Sequence, residues 1–365
     1  MRKWNWQQEQ WPKFSFDEKR IENFEKDFIH KSGILLGALK YIDSKEKEEL
    51  QIELITQEAL KTSAIEGEIL DRDSVQFSLK KHFGLQQDTL ATRKRITGAE
   101  AGIAEMMVDL YTNFAKDLKE TDLFAWNNMI LEKANNSGKY RSSEDDPMQV
   151  VSGSIDNPKI HFEAPPAKKL KKEMNAFITW FNKDSLNHPS LARAGIAHLY
   201  FVCIHPFNDG NGRIARALSE KVLSQSLKQA SLISLSLVIE KHRKEYYKAL
   251  DQANKDLDIN AWLEYFAQLA LQALVESQKL IDFVITKTKF FEKYRDNFNP
   301  RQHKVIVRIF KEGPEGFSGG LSAENYISIS GSSRATATRD LQDLVEKKIL
   351  KKTGQLKSTR YYLNI

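Results

Sequence analysis

Two apolar runs that read as helices flank a short polar stretch, and this arrangement constrains the chain more than any other feature. Leu191–Ile204 (LARAGIAHLYFVCI) is apolar nearly throughout. After the polar stretch, Ile214, Leu218 and Val222 recur four apart, and Leu223 and Leu227 extend that apolar side. Between the runs stands His205-Pro-Phe-Asn-Asp-Gly-Asn-Gly-Arg-Ile-Ala-Arg216. The polar cluster therefore belongs to a turn that opens a helix. Gly210 and Gly212 permit a tight turn and close approach there. Unpaired N–H groups at a helix start, with the positive end of the helix dipole, favour an anion. Arg213 and Arg216 add guanidinium forks suited to phosphate oxygens. Asp209 is a carboxylate of the kind that holds Mg²⁺ beside substrate phosphates, and His205 is a base that titrates near neutrality. Together they point to attack of a hydroxyl on a nucleotide phosphate.

These residues match H-x-F-x-[DE]-G-N-G-R-x-x-R at every specified position, and the chain resembles the Fic family. The resemblance implies a mainly α fold with a small β-hairpin flap over the site. It implies transfer of AMP from ATP to a Tyr, Thr or Ser hydroxyl, with His205 catalytic and Asp209 holding Mg²⁺. ATP would contact Glu66, His205, Gly210, Asn211, Gly212, Arg213, Ile214, Ala215 and Arg216. Thr62-Ser-Ala-Ile-Glu66-Gly67, alone a helix stopped by glycine, fits the family's inhibitory pattern [ST]-x-x-x-E-[GN]. Glu66 would then reach Arg216 and displace the ATP γ-phosphate. Gly138-Lys-Tyr-Arg141 resembles the family's G-x-[FY]-R segment. Residues 148–162 (MQVVSGSIDNPKIHF) read as a hairpin. As the flap, its edge Val150, Val151, Ser152, Gly153 and Ser154 would register a target strand. Tyr246-Tyr-Lys-Ala-Leu-Asp-Gln-Ala-Asn254 resembles the adenine-side helix. Adjacent helix positions diverge by about 100°, so one of Tyr246 and Tyr247 faces the core and the other the nucleotide, with Asn254 on a similar side.

Three segments are expected: residues 1–95, an aromatic arm reaching to about Ile29 plus helices carrying the inhibitory pattern; 96–295, the Fic catalytic domain; and 296–365, a winged helix. Trp4, Trp6, Trp11, Phe14 and Phe16 make the arm a packing element. A helix beginning at Thr121 with a capping residue is expected after the first two segments meet. Residues 291–365 hold 14 Lys and Arg against 8 Asp and Glu, which accounts for the whole net charge of +6. The last segment thus suits DNA or a protein partner, with Arg334, Thr336, Thr338 and Arg339 opening its recognition helix and Lys351, Lys352, Lys357 and Arg360 on its wing. No apolar run approaches a membrane span. The lone Cys203 excludes an internal disulfide, reads as a buried, inert thiol, and suits a reducing cytoplasm. No histidine pair has zinc spacing. A homodimer, AMP removal, transfer of another phosphate group, and a nucleotide-sensing DNA-binding regulator stay open as alternatives, as does modification of the chain itself.

Overall fold

The computed structural model describes residues 4–39, 44–85, 98–132, 134–154, 157–231, 233–313, 316–317 and 319–365. The expected boundary between 95 and 96, and Leu232, lie outside them. The fold is mainly α. In chain order the helices are α1 (Glu22–Ala38), α2 (Ser44–Ile65), α3 (Arg72–His82), α4 (Gly98–Thr112) and α5 (Glu120–Ile130). After the strands β1 (Gln149–Ser154) and β2 (Asn157–Glu163) come α6 (Leu170–Asn182), α7 (Ser190–Ile204), α8 (Asn211–Leu227), α9 (Leu235–Lys241), α10 (Arg243–Ala253) and α11 (Asn260–Tyr294). The chain closes with α12 (Pro300–Lys311), α13 (Ala323–Ser330), α14 (Arg334–Glu346), β3 (Leu350–Thr353) and β4 (Arg360–Leu363). By compactness it divides into two units. One holds the chain up to residue 39 and Gln51–Ser277; the other holds residues 44–50 and Gln278–Ile365.

In the first unit one apolar core runs from Trp4 to Leu274. Its centre is α7 against α8. Both helices are buried almost all round: α7 as its nearly continuous apolar run requires, and α8 although Arg213, Arg216, Glu220 and Lys221 are buried along it. α6 amphipathically adds Leu170, Met174, Phe177 and Phe181, while Trp180 is only half-buried. The arm is shorter than expected: α1 starts at Glu22, after single 3₁₀ turns at Asn5–Gln7 and Glu18–Arg20. α5 begins at Glu120 rather than Thr121, because Asp122 reaches back to accept the Lys119 N–H. Glu58, deep in α2, accepts the Ser236 N–H at 2.9 Å and its hydroxyl, and so caps α9. Burial pushes its carboxyl up to about 7.

β1 and β2 pair antiparallel, from Gln149 opposite Glu163 to Ser154 opposite Asn157, with a bulge between Val150 and Val151. Among the described residues β1 pairs with no other strand. In the second unit, α12, α13 and α14 enclose Val305, Ile306, Tyr326, Leu341 and Leu344. β3 pairs antiparallel with β4, and Leu321, ahead of α13, forms a further bridge to Tyr361.

Candidate functional site

α7 ends at His205, whose backbone is left-handed (φ 50°, ψ 60°). A side-chain-bearing residue rarely adopts this conformation, at a cost of order 1–3 kcal/mol. Arg141 offsets it. Its Nε donates to the His205 carbonyl at 2.9 Å, and its backbone N–H donates to the Pro206 carbonyl at 3.0 Å. Asp146, at 2.8 Å from Nη1, and the Pro165 carbonyl hold the guanidinium itself. The G-x-[FY]-R segment thus pins the histidine's own peptide. The His205 Nδ1 lies 3.3 Å from the Val202 carbonyl, which only accepts. Nδ1 therefore carries the proton, and Nε2 keeps its lone pair. Burial, aided by Arg141, pushes the imidazole down to about 4. At neutral pH it is an unprotonated base.

From His205 the chain turns on Phe207 and Asn211. The Asn211 carboxamide accepts the Phe207 N–H at 3.0 Å and donates to its carbonyl at 2.8 Å. Gly210 takes φ 85° as the residue before α8. Asn127 of α5 donates to the Asp209 carbonyl at 2.9 Å, which leaves the Asp209 carboxylate 70% exposed. The Ile214 N–H already donates to the Gly210 carbonyl. The amides of Asn211, Gly212 and Arg213 form the first turn, which a helix leaves without acceptors of its own.

Two carboxylates from the turn after α2 close on this helix start. Glu66 Oε1 accepts from Arg216 Nη2 at 2.7 Å. A Cβ on Gly212 would lie 2.2 Å from that oxygen, so Gly212 is the residue that lets Glu66 approach. Thr62 also holds Arg216, through Oγ1 at 2.7 Å from Nε and its carbonyl at 3.0 Å from Nη2. Arg216 Nη1 is buried without a partner among the described residues. Glu68 Oε2 accepts from the buried Arg213 at 2.6 Å. Neither Glu68 nor the part played by Thr62 was visible in the sequence, beyond their closeness to Glu66.

A cavity of about 500 Å³ opens at this point. Glu66, His205, Asn211 and Gly212 line one side; Val150, Val151 and Ser152 of the flap line another; Tyr246, Tyr247 and Asn254 line a third. The expected pairing of the tyrosines takes a specific form. Tyr246 is buried and its hydroxyl lies 2.8 Å from His198 Nε2, whereas Tyr247 is 39% exposed. Asn254 is the residue after α10 rather than within it. Arg213 and Arg216 stand behind the α8 start. The side chains of Ile214 and Ala215 are buried in the core, away from the cavity wall. Cys203 also lines the cavity, buried, its thiol pushed up to about 12 by burial. Sequence reasoning missed Arg243, Asp251 and His161, which also line it. Among the described residues no group of three metal-ligating side chains occurs, and no helix is long and apolar enough to cross a membrane.

Comparison with known proteins points the same way. Residues 117–223 match the Fic/DOC family, and residues 4–85 match a domain of unknown function, DUF4172. The chain is 25% identical over 235 residues to "Protein adenylyltransferase Fic" of Nematostella vectensis, covering 63% of this chain and 48% of that protein. It is 25% identical over 210 residues to "Protein adenylyltransferase fic-1" of Caenorhabditis elegans, covering 57% and 38%. The chain thus spans about half or less of the length of these curated relatives. A solved Fic family protein from Desulfovibrio desulfuricans superposes with a TM-score of 0.53 at 20% identity, over 96% of this chain and 98% of that one, and so shares the fold. A complete H-x-F-x-D-G-N-G-R-x-x-R turn between two core helices lies inside the segment that matches the Fic/DOC family, so residues 117–223 form a Fic-type domain.

Proposed function

We propose that this chain is an autoinhibited protein adenylyltransferase, moving AMP from ATP to a Tyr, Thr or Ser hydroxyl of a target protein or of the chain itself. The observation that carries the reading is Arg216 Nη1. Among the described residues it is a buried donor without an acceptor, beside Gly212 in the first turn of α8, whose amides a helix leaves without acceptors of its own. The names of the relatives support AMP as the transferred group.

In the reaction the target hydroxyl gives its proton to His205 Nε2. Its oxygen bonds to the α-phosphorus, the bond to the bridging oxygen of pyrophosphate breaks, and pyrophosphate leaves. The amides of Asn211, Gly212 and Arg213, with the Arg213 guanidinium, stabilise charge developing on the α-phosphate. Arg216 takes γ-phosphate oxygens, or Glu66 in the resting state. Asp209 is a largely exposed carboxylate whose Oδ1 accepts the Gly210 N–H and lies 3.8 Å from Arg213 Nη2. That donor set fits Mg²⁺, which takes one or two carboxylates and completes its shell with phosphates and water. Mg²⁺ bound there would neutralise phosphate charge. Tyr247 offers a face and Asn254 an amide to the adenine. The unpaired edge of β1 takes an extended target segment by strand addition. Incubation with ATP and Mg²⁺ followed by intact mass tests the reading. A gain of one AMP is expected, whereas a gain of phosphate alone would replace adenylyl transfer by phosphoryl transfer.

A second reading, a DNA-binding regulator that senses nucleotide, draws on the C-terminal unit. Three helices, a hairpin and the Leu321–Tyr361 bridge suit a winged helix, and Arg339, Lys351 and Lys352 are exposed on it. It predicts an electrophoretic shift of duplex DNA that weakens steeply as salt rises. No shift at low salt removes it.

A further inference from the structure

The N-terminal arm touches three walls of the cavity within three residues. Asn5 is fully buried. Its backbone N–H donates to the Asn254 carbonyl at 2.8 Å. Its side-chain amide donates to Cys203 Sγ at 3.1 Å and to the Ala253 carbonyl at 3.4 Å. On one side the Trp4 ring meets Phe162 edge-on, centroids 5.4 Å apart. On the other, Trp6 Nε1 donates to the Glu163 carbonyl at 2.7 Å. Phe162, Cys203 and Asn254 all line the cavity. The arm therefore ties together the end of β2, the end of α7 and the residue following α10.

Of these three, Asn254 has the most to gain from being held. It lies just past the last turn of α10, where a helix frays unless something fastens it. Its Oδ1 is buried and has no partner among the described residues. A buried carboxamide oxygen left so is costly, unless a ligand brings it a donor. Adenine brings one: its amino group donates and the neighbouring ring nitrogen accepts, which matches a carboxamide, whereas guanine presents a carbonyl oxygen at the equivalent place.

We propose that Asn5 is a positioning residue, which fixes the Asn254 carboxamide for adenine and so gives the cavity its preference for ATP over GTP. This rests on the reading that the cavity takes a nucleoside triphosphate. It assigns to the DUF4172 segment a part in building the base-binding wall, beyond packing against the helical body.

The test reads binding rather than transfer. ATP and GTP affinities are measured by calorimetry on full-length protein carrying Glu66→Gly, alone and combined with Asn5→Ala, Asn5→Leu or Trp11→Phe. Asn5→Leu keeps nearly the same shape without the amide. Trp11→Phe removes the indole N–H that donates to Glu173 at 2.9 Å and shrinks a ring packed on Phe14 and Tyr200, none of which lines the cavity, and so controls for loosening the arm. Melting curves set a temperature at which every variant is folded. Both Asn5 variants are expected to narrow the ATP-to-GTP affinity ratio by about fivefold, mostly through weaker ATP, the scale of one misplaced hydrogen bond. Trp11→Phe is expected to leave the ratio alone. An unchanged ratio in the Asn5 variants, or an equal narrowing in Trp11→Phe, would overturn the assignment while leaving the nucleotide reading intact. A Glu66→Gly protein that binds neither nucleotide would instead overturn the reading itself.

Discussion

His205→Ala is expected to lower AMP transfer by roughly 10²- to 10⁴-fold, the contribution of a positioned general base. ATP affinity should change by no more than about twofold, since the imidazole acts on the acceptor's proton rather than on bound ATP. The pH profile supplies a sharper check. With the imidazole pushed down to about 4 by burial, the base is already unprotonated at pH 6. The wild-type rate should be nearly flat from there to pH 8 on this group's account. A sigmoid rise centred near 6.5, the value of an unperturbed imidazole, would show that His205 is not held as described, or is not the base. Stability has a linked dependence. The unfolded chain binds a proton at this histidine near 6.5, while the folded chain does not until about 4. Stability from this group is therefore complete above 6.5 and is lost as pH falls towards 4. His198, pushed down to about 3 by burial and the nearby Arg216, adds a loss of the same sign over a longer interval. Glu58, whose carboxyl burial pushes up to about 7, contributes the opposite sign over the same interval. The part due to His205 is therefore read as a difference: between pH 6.5 and 5 the melting temperature of the wild type should fall relative to that of His205→Ala.

What the sequence made legible was local or periodic. The turn between α7 and α8 could be read because two apolar runs bracket it and glycines mark where a side chain cannot go. α14 and the β3–β4 hairpin could be read from the inward Ala337, Leu341 and Leu344 and the Gly354 turn. Glu66 could be matched to Arg216 only through the resemblance, since nothing in a helix-ending glutamate names its partner. Other contacts were out of reach for the same physical reason. Glu68 meets Arg213 across 145 residues, and Arg141 meets the His205 carbonyl across 64. Each is a single polar side chain with no repeat to betray its direction. Asn5 is the extreme case. Its neighbours Trp4 and Trp6 announce an element that packs, but an asparagine between two tryptophans gives no sign of reaching Cys203 and the Ala253 carbonyl. Of the boundaries that shifted, the helix start at Glu120 is set by the contact of Asp122 with the Lys119 N–H rather than by apolar spacing, and the one at Glu22 follows a 3₁₀ turn.

The second large effect concerns the two carboxylates. Glu66→Gly is expected to raise AMP transfer by roughly 5- to 150-fold, the span of coupling between an inhibitory contact and a site. It should also lower stability. Arg216 loses an ion pair at 2.7 Å but keeps both bonds to Thr62. The cost is about 1–3 kcal/mol, below that of breaking a fully buried pair, because Glu66 retains 27% of its side-chain exposure. Activity and stability should thus move in opposite directions, and added ATP should restore part of the melting temperature by giving Arg216 a new anion. Glu68 makes the release incomplete. With Glu66 gone, Arg213 stays paired with Glu68 at 2.6 Å, and the guanidinium that should meet the α-phosphate must first give up that carboxylate. Glu66→Gly with Glu68→Ala is therefore expected to exceed Glu66→Gly alone, and Glu68→Ala by itself to do little while Glu66 still lies against Gly212. Initial rates of AMP incorporation for the two single variants and the double variant decide the matter. Additive effects on the logarithmic scale would mean that the carboxylates act independently. A Glu66→Gly rate equal to wild type would show that Glu66 does not restrain the site.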